Sequence, residues 1–159
     1  MSNQPITEGK AETSRTTFSQ TVSVKASINA KPEVVWALLT NGIDYPRWNS
    51  TIVSLEGEIE RGKTIVLKVT IDPKRSFKLK VSRMEDGKSM VWQSGMAPFF
   101  KGVRTFELTS LGETRTQFSM IEKMGGLMFP MAAGQLPDFT APFEQFAADL
   151  KKEAELIQN

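Results

Sequence analysis

A chain of 159 residues, 40% hydrophobic and 24% charged, is long enough to bury one sizeable core, and its net charge of +2 is too small to imply a nucleic-acid partner. It has no Cys and no His, which excludes disulfides, thiolate catalysis, Cys-based metal sites, His-based triads and the commonest metal ligand. Chemistry is left to Asp, Glu, Lys, Arg, Ser, Thr and the single Tyr45. No cofactor and no metal are expected. No apolar run approaches the roughly 20 residues that span a bilayer, and the opening residues carry no signal-peptide pattern. The expectation is a cytoplasmic protein without integral membrane association, its oligomeric state left open.

Residues 1–17 are rich in Ser, Thr, Glu and Gln and read as a flexible N-terminal tail. Residues 18–28 alternate: Phe18, Val22, Val24, Ala26 and Ile28 share one face with Gln20, and polar residues take the other. That period of two predicts a half-buried strand. A helix then opens on Pro32 with Glu33 at its positive end, buries Val35, Leu38 and Leu39, and stops at Asn41-Gly42. Tyr45-Pro46-Arg47-Trp48-Asn49 follows at once, where Tyr45 reads as an anchor.

Six strands are predicted next. Residues 51–60 place Val53, Leu55 and Ile59 on one side, and residues 63–71 place Ile65, Leu67, Val69 and Ile71 there. Asp72-Pro73 reads as a turn. Residues 76–84 turn Phe77, Leu79 and Val81 inward and Lys78 and Lys80 outward; residues 88–96 put Met90 and Trp92 on one face. Residues 100–109 and 114–123 complete a meander of antiparallel hairpins. The last segment differs: Phe139, Phe143, Phe146, Leu150 and Ile157 recur at helical spacing, and Pro142 marks the first turn or a kink. An α+β fold is the consequence. A curved antiparallel sheet of about seven strands grips a long C-terminal helix, with two short helices after the first strand and a cavity between sheet and helix.

The order and spacing of four motifs resemble the START-like, helix-grip (SRPBCC) superfamily, and most of all its polyketide cyclase/dehydrase group. They are residues 28–36 (INAKPEVVW), 45–49 (YPRWN), 100–108 (FKGVRTFEL) and 121–126 (IEKMGG). The resemblance covers a single ligand-binding domain over residues 18–159. It implies a hydrophobic cavity but no single activity, because members include cyclases, lipid and hormone carriers and quinone-binding proteins.

Candidate site residues come from parity and periodicity. Arg104 and Glu122 sit at even positions on the last two strands, on the face of Phe106, Phe118 and Met120. A register pairing Leu108 with Thr116 makes Arg104 and Glu122 diagonal neighbours, which long side chains bridge. In a cavity the pair orients a ligand carbonyl or hydroxyl, or serves as acid and electrophilic clamp; the plainer reading is a structural ion pair. Met124, Met128 and Met131, with Gly125-Gly126 and two prolines, suit a mobile entrance or an adaptable core connection. Trp36 and Trp48 read as core, and Trp92 as a cavity wall with Phe139, Phe143 and Phe146. Lys74, Arg75, Lys78, Lys80 and Arg83 form a basic run that is either a partner surface or the wet face of a strand. The expected function is binding of a small, mostly apolar ligand that is lipid, polyketide-like or quinone-like. The alternatives are a cyclase or dehydratase using Arg104 and Glu122, and a protein- or membrane-interaction module.

Overall fold

The computed structural model describes residues 8–159. Eight strands form one antiparallel sheet: β1 (Ala11–Arg15), β2 (Ser19–Ile28), β3 (Ile52–Glu56), β4 (Thr64–Val69), β5 (Asp72–Glu85), β6 (Ser89–Met96), β7 (Phe100–Gly112) and β8 (Arg115–Gly125). Their spatial order is β1-β2-β8-β7-β6-β5-β4-β3. Helices α1 (Pro32–Thr40) and α2 (Tyr45–Trp48), joined by a 3-10 turn, link β2 to β3. A short helix α3 (Phe129–Ala132) and a second 3-10 turn lead from β8 to the long helix α4 (Thr140–Gln158).

The core lies between the sheet and α4. Val22, Val24, Ala26 and Ile28 of β2 and Phe106, Phe118 and Met120 of β7 and β8 face Phe143, Phe146, Ala147, Leu150 and Ala154 of the helix. All are buried, and each large side chain there contributes about 1.5–3 kcal/mol by leaving water. Polar groups clamp the two layers at one end. The Lys151 ammonium donates to the Ser27 carbonyl at 2.9 Å, and Glu155 accepts the Asn29 amide at 2.9 Å. Tyr45 is fully buried and donates its hydroxyl to the Leu39 carbonyl at 2.7 Å, anchoring the turn after α1. Burial pushes its phenol well above the usual range, against a smaller opposing effect of Arg104, so it stays a neutral donor.

Several expectations need correction. The sheet has eight strands rather than about seven, because part of the expected tail is β1. Its burial runs from half-buried Ala11 to four exposed residues, so it carries no alternation to read. It is held by pairing along β2, from Ala11 opposite Val24 to Arg15 opposite Gln20, and by the Ala11 amide donating to Glu144 of α4 at 3.0 Å. Residues 1–7 of that expected tail lie outside the described residues. Asp72-Pro73 opens β5 instead of turning; the reversal lies at Thr70-Ile71, which leaves Ile71 exposed. Val53 is exposed because the β3–β4 register shifts between Ile52 and Ser54. Phe18 precedes β2 in a bend and is exposed, and Ile157 is exposed near the end of α4.

Candidate functional site

Three residues lie in one row across the sheet. Trp92 of β6 is opposite Arg104 of β7, which is opposite Glu122 of β8. The expected register is therefore wrong by two residues: Leu108 pairs with Phe118, and Arg104 faces Glu122 directly instead of diagonally. Arg104 Nη2 donates to Glu122 Oε2 at 2.9 Å. The pair is mostly shielded from water, with side-chain exposures of 10% and 16%. The guanidinium carbon lies 5.1 Å from the centre of the Phe143 ring, a cation–π distance. Nη2 is the one Arg104 nitrogen with a hydrogen bond among the described residues, and Trp92 Nε1 beside it has no partner either.

This row borders a cavity of about 190 Å³. Strict parity builds its sheet wall: Trp92 and Ser94 on β6, Phe100, Gly102 and Arg104 on β7, and Glu122 and Met124 on β8. Leu67 and Val69 of β4 and Phe77 and Leu79 of β5 extend that wall. Ala132, Leu136 and Phe139, from the connection into α4, close the opposite side. Gly102 keeps the centre open, since a Cβ there meets the Ser94 hydroxyl at 2.8 Å. Exposed Arg75 stands at the margin, 3.4 Å from Asp72 and 5.8 Å from the Phe77 ring centre.

Of the expected site residues, Trp92, Arg104, Glu122, Met124 and Phe139 line this cavity. Met120, Phe143 and Phe146 instead border a gap of about 20 Å³ beyond Arg104, which shares Arg104, Val69 and Phe139 with the main cavity. Phe106 and Phe118 have no exposure and back the wall; the Phe106 and Trp92 ring centres are 4.6 Å apart. Met128 is exposed and does not line the cavity. Trp48 is buried and Trp36 packs half-buried against the core. Phe77, Leu79 and Phe100 were missed as lining residues, although their parity already turned them inward. Leu136 and Ala132 carried no such signal, because their placement depends on how the connection folds back. Among the described residues no cluster of Asp or Glu is arranged to hold a metal ion.

A curved antiparallel sheet packed on a long C-terminal helix defines a START-like helix-grip domain. Its apolar cavity lies between the sheet and the connection leading into that helix rather than against the helix as expected, since no residue of α4 lines it. The chain belongs to the family described as polyketide cyclase/dehydrase and lipid transport, whose model matches residues 19–155. Solved structures agree in fold. A START superfamily protein from Mycobacterium smegmatis is 19% identical, with a TM-score of 0.64 over 86% of this chain and 98% of that one. An aromatase/cyclase from a Streptomyces species is 15% identical, with a TM-score of 0.67 over 86% and 94%. A norcoclaurine synthase variant from Thalictrum flavum, bound to a transition-state analogue, is 10% identical, with a TM-score of 0.68 over 93% and 99%. At these identities the likeness is one of fold. No curated protein matches the chain significantly in sequence.

Proposed function

We propose that this domain binds one small, mostly apolar ligand in the cavity between the sheet and the connection to α4, with Arg104 and Glu122 orienting it. The observation that carries this reading is a guanidinium with unused donors beside an apolar space. Burying a polar N–H without a partner costs about 1–3 kcal/mol. An acceptor oxygen on the ligand, a carbonyl or a hydroxyl, relieves that cost at Arg104, while the carboxylate of Glu122 accepts from a ligand hydroxyl. Affinity then comes from carbon buried against Leu67, Leu79, Phe100 and Phe139. The size limits the ligand. An apolar cavity of about 150 Å³ holds one benzene, so about 190 Å³ takes one ring-sized group. A longer lipid, polyketide-like or quinone-like molecule extends past Arg75 at the margin. A cytoplasmic location belongs to the same reading.

Native mass spectrometry of the purified protein, followed by extraction, tests it. A stoichiometric organic adduct is the expected result. A clean unliganded mass, together with no thermal shift from ring-containing carbonyl compounds, overturns it.

The second reading is a cyclase or dehydratase, and Glu122 favours it as an ionisable group placed against the cavity. Arg104→Ala and Glu122→Gln separate the two. Carrier function predicts weaker ligand binding in Arg104→Ala, about tenfold, and little change in Glu122→Gln. Enzyme function predicts that Glu122→Gln loses turnover far more than affinity, read as kcat against KM on a polyketide-type substrate.

A further inference from the structure

Six large apolar side chains are exposed at one end of the molecule, where the chain has every opportunity to place polar ones. Phe18 lies in the bend between β1 and β2, Met96 and Phe99 at the β6–β7 turn, and Leu127, Met128 and Met131 between β8 and α4. Met96, Leu127 and Met131 are 70%, 63% and 72% exposed. With roughly 200 Å² per large side chain, the six present on the order of 600 Å² of apolar surface. That is at or above the largest patch of an ordinary monomer.

The three turns form one platform. The Gly126 amide donates to the Phe18 carbonyl at 3.0 Å, Leu127 to Pro98 at 2.9 Å, and Met128 to Phe99 at 2.8 Å. Gly126 has φ +132°, and a Cβ there lies 2.3 Å from the Phe99 carbonyl oxygen, so only glycine allows the approach. Those backbone groups satisfy each other, and contact with an apolar medium leaves none of them stranded. The platform also borders the cavity. Phe100 and Ala132, next in sequence to Phe99 and Met131, line it, and buried Phe129 stacks on Phe100 at 6.4 Å.

We propose that this platform docks on the surface of a bilayer containing anionic lipid. Charge favours that occupant. Lys101 is paired in register with Gly95 and Gly125, next to the turns, and Lys123 lies two residues before Gly125. Both are exposed, and neither has an ion-pair partner among the described residues. Cations beside an apolar tip suit anionic head groups. The acid next to Lys123, Glu122, is already paired with Arg104. The tips carry Met, Leu and Phe and no Trp, Tyr or Arg, the anchors that protein interfaces favour. Docking sets the cavity margin against the lipid, so an apolar molecule moves between the two without crossing water.

Co-sedimentation of the full chain tests the proposal, using vesicles of phosphatidylcholine alone and vesicles that also contain phosphatidylglycerol. The protein as purified binds the second kind more tightly, and salt weakens the binding. Leu127→Asp combined with Met131→Asp reduces it at least about tenfold with an unchanged unfolding temperature, because both positions are exposed. Met96→Ser combined with Phe99→Ser does the same from another turn, should the first variant fold poorly. Absence of vesicle binding by the wild type overturns the proposal. So does a wild-type dimer in light scattering that these substitutions dissociate, which makes the patch a contact between copies. Vesicle binding needs no cavity ligand, so its failure is separate from failure of the ligand reading.

Discussion

Phe143 limits the space on the far side of Arg104 from the main cavity. Its ring lies 5.1 Å from the Arg104 guanidinium carbon and borders the small gap with Met120 and Phe146, and Arg104 is shared by that gap and the main cavity. Truncation enlarges that gap beside Arg104. Phe143→Ala is expected to cost about 3–5 kcal/mol of stability, the usual range for emptying a buried Phe site, measured by urea unfolding. The same variant is expected to take ligands one ring larger than the wild type accepts, measured by thermal shift across a size series. Phe143→Leu gives a smaller version of both effects. An unchanged size preference in either variant shows that the floor of the site lies elsewhere. Arg104 itself could be picked out from sequence as an inward charge. The role of Phe143 above it could not, because helical spacing reports which face is buried and not which buried residue borders empty space.

At the scale of elements, β1 is the strand that sequence reasoning passed over. It contributes backbone pairing to β2 but buries little beyond Ala11. Removing residues 1–15 is expected to leave a folded domain with only a modestly lowered unfolding temperature. The amides of β2 then become a free sheet edge, which templates aggregation. Hydrogen exchange of β2 and light scattering at rising concentration measure both effects. Full loss of the fold on truncation shows that β1 is part of the core assembly.

Helix α4 depends on a charge clamp as well as on its Phe stripe. Burial alone raises the Glu155 carboxyl, but the Lys151 ammonium and the Asn29 amide hydrogen-bond to it and hold it below its ordinary value of 4.5. A lowered folded value means the carboxylate stabilises the fold above the unfolded value, and that contribution is lost as pH falls through the folded one. The unfolding temperature is therefore expected to drop as pH falls below about 4.5. Glu155→Gln lowers stability at neutral pH and makes the acid limb shallower. An acid limb as steep as that of the wild type places the sensitivity in other carboxylates, such as Asp44, which the bidentate Arg47 holds low.

For the whole molecule, alternation and order were enough to establish a curved meander followed by a long amphipathic helix. They also turned Arg104 and Glu122 to the face of Phe106, Phe118 and Met120, because a side-chain period of two depends only on local backbone geometry. They did not determine the pairing of β7 with β8. A slip of two residues keeps every side chain on its own face, so the hydrophobic pattern is blind to it. Only the tertiary structure put Arg104 directly opposite Glu122. It likewise recruited β1, whose binding is backbone pairing with almost no apolar burial. It folded Ala132 and Leu136 over the cavity and left Met128 and Met131 outside, choices made by where Gly126 lets three turns meet. Periodicity is written residue by residue along the chain. Register, edges and empty space belong to contacts between distant segments, and those exist only once the chain has folded.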